Sequence, residues 1–178
     1  SVVLNFNIEK LNIYDKLTQL HMSDDEKYML MVIAKAKEGI DVGQSPFAAC
    51  IVKDGEVIAC EHNAVWENTD ITSHAEINAI RRACKLLNTI DLTGCVIYST
   101  CEPCPMCFTA CHWAKISRIV YGARIEDSKA FGFSELCISI KVLKEMGKSR
   151  IEIVSDILRQ KNIELFEYWE SKNGKKAY

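Results

Sequence analysis

Two short clusters set the strongest constraint on this chain. His74-Ala75-Glu76 is followed about thirty residues later by Pro103-Cys104-Pro105-Met106-Cys107. One imidazole and two thiolates form a donor set that zinc accepts in tetrahedral geometry, and C-x-x-C spacing lets two thiolates reach one ion. If all three share a metal, the intervening chain must leave the first cluster and return to it. Pro105 suits the first turn of a helix, where its missing N–H costs nothing. The spacing therefore predicts a helix over residues 105–115 with both cysteines at its positive end, which favours thiolates. Three protein ligands leave one tetrahedral position open, the arrangement of a catalytic zinc, with one ion per chain.

Glu76 lies two residues beyond His74. Positions two apart do not share a helical face, so the pair can meet only at a helix start. There His74 can serve as ligand while Glu76 stands beside the reacting water as acid and base. Three other readings of the cysteines are a structural zinc staple, buried apolar thiols and a redox C-x-x-C. The last does not account for His74 and Glu76. Cys101 and Cys111 flank the ligands but are not needed to complete the set.

The length of 178 residues suits one domain with a full core. No apolar run approaches a membrane span, and no segment resembles a secretory leader. Nine cysteines is an odd count, which argues against a disulfide framework and for a reducing cytoplasm. Cys50, Cys60, Cys84, Cys95 and Cys137 are then expected as small core residues. The net charge of −2 lacks the basic excess of a nucleic-acid binder, and no membrane partner is indicated. The one concentrated basic run, residues 172–176, reads as a solvated tail.

Periodicity organises the rest. Ser23-Asp24-Asp25-Glu26 is a capping box, and residues 27–37 have helical spacing. Residues 47–52 and 57–60 are apolar runs joined by Lys53-Asp54-Gly55-Glu56, a hairpin signature. Helices are expected over 74–87 and 156–170, and strands over 95–99, 118–121 and 151–154. This alternation indicates an α/β layered domain with a mixed sheet over residues 23–178. Residues 1–22 form an expected extension packed on that domain. His62 and His112 are expected to be structural.

The assembled residues resemble the cytidine deaminase-like superfamily, in its branch of bacterial guanine deaminases and tRNA adenosine deaminases. H-x-E…P-C-x-x-C is the general signature of zinc nucleobase deaminases. Three blocks carry the resemblance: Ser45-Pro46-Phe47-Ala48-Ala49-Cys50-Ile51-Val52-Lys53-Asp54-Gly55, Thr72-Ser73-His74-Ala75-Glu76, and Thr100-Cys101-Glu102-Pro103-Cys104-Pro105-Met106-Cys107. The resemblance implies a three-layer α/β/α fold with a central mixed five-stranded sheet, one Zn²⁺ per chain, and hydrolytic deamination with Glu76 as the proton carrier.

Further residues tilt the resemblance toward guanine deaminases. Asn63 matches an asparagine that holds the base, Phe47 and Trp113 match aromatics against its plane, and Ala75 falls with them in the substrate-binding set. Glu135 matches an acidic position that accepts ring protons or shuttles one. Tyr178 matches a terminal aromatic that closes the site. The implied reaction is guanine to xanthine plus ammonia, with the triazine ammeline as a second substrate. The implied assembly is a homodimer with exchanged C-terminal segments. The N-terminal extension is longer than in the shortest relatives. The alternatives are a tRNA adenosine deaminase, a cytosine or cytidine deaminase, and a zinc-stabilised RNA-binding module without activity.

Overall fold

The computed structural model describes residues 22–172 and 174–178. The expected N-terminal extension lies outside the described residues, apart from Met22. Helix α1 (Asp24–Asp41) opens on the capping box: the Glu26 N–H donates to Ser23 Oγ, and the Ser23 N–H donates to the Glu26 carboxylate. Strands β1 (Ala48–Lys53) and β2 (Glu56–His62) form the hairpin. Its turn residues Asp54 and Gly55 both have positive φ, as the favoured two-residue hairpin turn requires. Then follow α2 (Val65–Asn68), α3 (Ala75–Leu87), β3 (Val96–Cys101), α4 (Pro105–Trp113), β4 (Arg118–Ala123), α5 (Ile125–Ala130), α6 (Ile140–Met146), β5 (Glu152–Val154) and α7 (Arg159–Glu170).

The strands form one mixed five-stranded sheet in the order β2-β1-β3-β4-β5. β1 is antiparallel to both β2 and β3, while β3, β4 and β5 run parallel. Successive strand residues point to opposite faces, and both faces are covered. Ala49 and Ile51 join a core with Ala75, Ala79 and Ala83 of α3 and with Phe108 and Cys111 of α4. Ala48, Cys50 and Val52 face Met29, Val32 and Ala36 of α1 and Leu165 and Phe166 of α7. This burial on two sides explains why the strands read as unbroken apolar runs.

One close approach seats α7. A Cβ built on Gly122 of β4 would lie 2.0 Å from Asn162 Nδ2, so the buried Asn162 packs on bare backbone. Its amide also donates to the carbonyls of Ile157 and Leu158 at the start of α7.

Several expectations need correction. α1 extends beyond the expected range at both ends. The helix expected over 105–115 ends at Trp113, because Lys115 turns left-handed at φ 59°. The helix expected from residue 156 starts at Arg159, since Asp156 and Leu158 have positive φ. Helices α2, α5 and α6 escape sequence reading because they are too short to display a period. Cys137 is exposed rather than in the core, and Cys60 and Cys84 are half-buried. The basic tail is docked: Lys172 Nζ donates to Asp41, Lys175 Nζ to the Glu170 carbonyl, and Lys176 lies over the Trp66 ring. Among the described residues, no helix is long and apolar enough to cross a membrane.

Candidate active site

The two clusters meet at the start of two helices. His74 is the N-cap of α3 and Cys104 the N-cap of α4, both in extended backbone. His74 Nδ1 lies 3.7 Å from Cys104 Sγ and 3.6 Å from Cys107 Sγ. With zinc–sulfur and zinc–nitrogen bonds near 2.3 and 2.0 Å, a tetrahedral ion needs a nitrogen–sulfur edge of about 3.5 Å. The three ligand atoms lie within 4.8 Å of one another, so this donor set fits the ion in spacing and chemistry.

Glu76 sits in the first turn of α3 and is buried. Ser99 Oγ, from β3, donates to Oε1 at 3.2 Å, and the Cys107 thiol donates to Oε2 at 3.5 Å. Burial pushes the Glu76 carboxyl up from its ordinary range, against the pull of His74. A hydrogen bond with Cys107 holds the Cys104 thiol down at about 4, in the range of a ready metal ligand. Burial also raises the Glu135 carboxyl, reinforced by the Cys104 charge.

One cavity collects most of the expected residues. Phe47, Asn63, His74, Glu76, Cys104, Glu135 and Tyr178 all line it, together with Cys101 and Glu102. Phe47 leads into β1, and the Asn63 N–H donates to the Phe47 carbonyl at 2.8 Å, which sets the two side by side. Asn63 Oδ1 accepts from the Val65 N–H, so Nδ2 is its free handle. That handle donates to Tyr178 Oη at 2.7 Å. Cys107 and Ala75 are fully buried at the helix starts. Trp113 stands apart: it is 80% exposed and does not line the cavity. The reason is distance along α4. Trp113 ends a nine-residue helix, six residues beyond Cys107 and nine beyond Cys104, about 9 and 14 Å along the axis at 1.5 Å per residue.

The tail closes the site of its own chain. The Tyr178 ring packs against His74, Phe133 and Trp66. Ser134 N–H donates to the Tyr178 carbonyl, and Trp66 Nε1 to that of Lys176. With Tyr178 seated, the cavity is about 20 Å³, room for roughly one water. A flat ring fits only once Tyr178 shifts from this position.

Other parts of the site went unread in the sequence. Glu102 Oε1 accepts from Ser139 Oγ at 2.8 Å and from the Ile140 N–H at 3.0 Å, tying the cysteine loop to the segment that carries Glu135. Buried Ser128 donates to Glu135 Oε1 at 3.1 Å. Phe133 packs edge-on against Phe47. Glu102 sits inside the block Thr100-Cys101-Glu102-Pro103, and a buried acid beside two ligands was the available signal. His62 and His112 do not line the cavity, and their Nδ1 atoms contact the Asn63 carbonyl and Ser149 Oγ.

Residues 22–123 match the family described as the cytidine and deoxycytidylate deaminase zinc-binding region. The chain belongs to this family. It is a zinc-dependent aminohydrolase of the cytidine deaminase-like fold. The chain is 36% identical to the guanine deaminase of Bacillus subtilis (strain 168) over 154 residues, covering 86% of this chain and 98% of that protein. It is 42% identical to the tRNA-specific adenosine deaminase of Aquifex aeolicus (strain VF5) over 98 residues, 55% of this chain and 65% of that one. Among solved structures it is similar to the guanine deaminase of Nitrosomonas europaea, with a TM-score of 0.77 and 28% identity over 83% of this chain and 85% of the other.

Proposed function

We propose that this chain hydrolyses a free purine base, guanine, to xanthine and ammonia, with one zinc held by His74, Cys104 and Cys107. The observation that carries the reading is the convergence of the Glu135 carboxylate and the Asn63 amide on the cavity that holds Glu76. A carboxylate suits the ring N–H donors of guanine, and the Asn63 Nδ2 donor suits an acceptor on the same ring. The near-complete overlap with the Bacillus subtilis guanine deaminase supports the same choice.

Zinc, when bound, polarises the attacking water. Glu76 takes a proton from that water and passes it to the exocyclic nitrogen, which leaves as ammonia. Its raised pKa suits a group that must accept and then release a proton. Ser99 holds one Glu76 oxygen, and the other, which accepts from the Cys107 thiol here, would be released to carry the proton once Cys107 binds zinc as a thiolate. Phe47 forms an aromatic wall for the flat ring, and Tyr178 excludes water once the ring is seated. The reading includes a cytoplasmic setting and a homodimer. Exchange of C-terminal segments between subunits would put the Tyr178–Asn63 contact across the dimer, and sedimentation of the parent against a tail deletion tests this.

The deciding experiment measures ammonia release from guanine, ammeline, cytosine, cytidine and an adenosine-containing anticodon stem-loop, with metal analysis on the same preparation. Guanine is expected to react fastest, ammeline second, with about one zinc per chain. The stem-loop matters because of the similarity to a tRNA-specific deaminase. Conversion of the stem-loop but not of guanine would replace this reading.

A further inference from the structure

We propose that Cys50 and Cys60 form a modification site, a cross-strand dithiol that hydrogen peroxide converts to a disulfide. Nothing in the deamination chemistry uses either thiol, and the inference does not depend on the substrate.

The argument starts from register. Cys50 of β1 lies directly opposite Cys60 of β2, so both side chains leave the same face of the hairpin. They belong to the core facing α1. Bonded and non-bonded pairs alternate along an antiparallel ladder. The Asn63 N–H donates to the Phe47 carbonyl, which makes 47/63 a bonded pair. Counting inward without a register shift, 48/62 is non-bonded, 49/61 is bonded and 50/60 is non-bonded. Non-bonded pairs bring Cα atoms to about 4.5 Å, just inside the disulfide window of about 4.4–6.8 Å. A bridge at the tight end of that window forms without moving the strands.

The surroundings assign the roles. β2 is an edge strand among the described residues, and Cys60 is half-buried while Cys50 is buried. The Cys50 hydrogen bond holds the Cys60 thiol down, with help from Lys35 of α1 and against burial, Glu61 and Glu38. Cys60 is therefore the attacking sulfur and Cys50 the resolving one. Cys60 sulfur attacks one peroxide oxygen, the O–O bond breaks, and the released hydroxide takes the Cys60 proton as water. The sulfenic acid formed is then attacked by Cys50 sulfur. Its S–O bond breaks, and the departing hydroxide takes the Cys50 proton as a second water. Two thiols are oxidised by two electrons, and one peroxide is reduced to two waters.

The test uses the full-length, zinc-loaded protein with equimolar hydrogen peroxide, then alkylation, trypsin and mass spectrometry. Cleavage after Lys37, Lys53 and Arg81 places Cys50 alone in peptide 38–53 and Cys60 alone in peptide 54–81. The expected result is a linked pair of these peptides, matched loss of alkylation at both cysteines, retained zinc, and full reversal by dithiothreitol. In Cys50→Ser the linked pair disappears and Cys60 stops at sulfenic acid, trapped by adding dimedone, because equimolar peroxide supplies a single oxidising equivalent. Cys60→Ser leaves Cys50 fully alkylated, and serves alone if the other variant fails to fold. Full alkylation of Cys60 after peroxide overturns the proposal, as does its pairing with any other cysteine. Loss of zinc before any 50–60 link forms does the same.

Discussion

The metal half of the site and its ring-holding half are built by opposite means. His74, Cys104 and Cys107 stand at the starts of α3 and α4, and Glu76 lies in the first turn of α3, two helices that pack on the sheet core. The other half is loop and tail. Glu135 lies in the irregular segment between α5 and α6, and Tyr178 is held by side-chain and backbone hydrogen bonds to residues as far away in sequence as Asn63. Chemistry that needs fixed distances rests on rigid elements, while the part that must admit a ring rests on contacts that can part. Variants on the two sides should therefore fail differently.

The largest effect is expected on the rigid side. Glu76→Gln should keep fold and zinc and lower turnover by about 10²–10⁴, since the amide cannot carry the proton. Turnover within a few-fold of the parent, measured on zinc-replete protein, would remove Glu76 from the chemistry.

On the loop-and-tail side, Glu135→Ala should lower guanine turnover at least about tenfold with zinc retained. A lost hydrogen bond to a charged group is worth about 1.5–3 kcal/mol. Steady-state kinetics beside metal analysis check this, and an unchanged rate would move Glu135 out of the pocket. Deleting residues 175–178 should cost turnover to a similar or smaller degree by letting water in. Like the Glu76 variant, it should leave the thermal midpoint near that of the parent.

The smallest effect probes the frame behind both halves. The Asp25 carboxylate accepts two hydrogen bonds from Arg118, which links α1 to β4. The Arg118 hydrogen bond, with help from Tyr98 and against burial, holds the Asp25 carboxyl below its ordinary value. A depressed folded pKa contributes stability above the unfolded value, and that contribution is lost as pH falls through the folded one. Asp25→Asn should therefore cost about 1–3 kcal/mol near pH 7, and the gap should narrow below about pH 4. Urea melts at the two pH values measure it, and a gap independent of pH would separate this pair from acid stability.

The same contrast explains what could be read in advance. The sheet, both metal helices and the hairpin follow from apolar runs, Pro105 and Asp54-Gly55, because those signals are local. The spacing of His74 and Glu76 indicated a helix start, and both stand at one. The Glu102 bonds to Ser139 and Ile140 join positions 37 and 38 residues apart, and no period announces them. Trp113 was placed by resemblance alone, and the length of α4 sets it away from the cavity of its own chain. The basic run at 172–176 looked solvated because its partners, Asp41 and Trp66, lie more than a hundred residues earlier.

The seat of Asn162 on Gly122 has a consequence in terms of tethering. Because α7 is fixed there, Tyr178 hangs eight residues beyond the end of an anchored helix. Its phenol meets Asn63 as an intramolecular ligand, at an effective concentration on the order of millimolar. Any ring that uses Asn63 Nδ2 must displace this resident competitor, so the tether sets a floor that ring affinity has to exceed. The floor falls slowly with tether length: by the −3/2 power, doubling the eight residues weakens the competitor only about threefold.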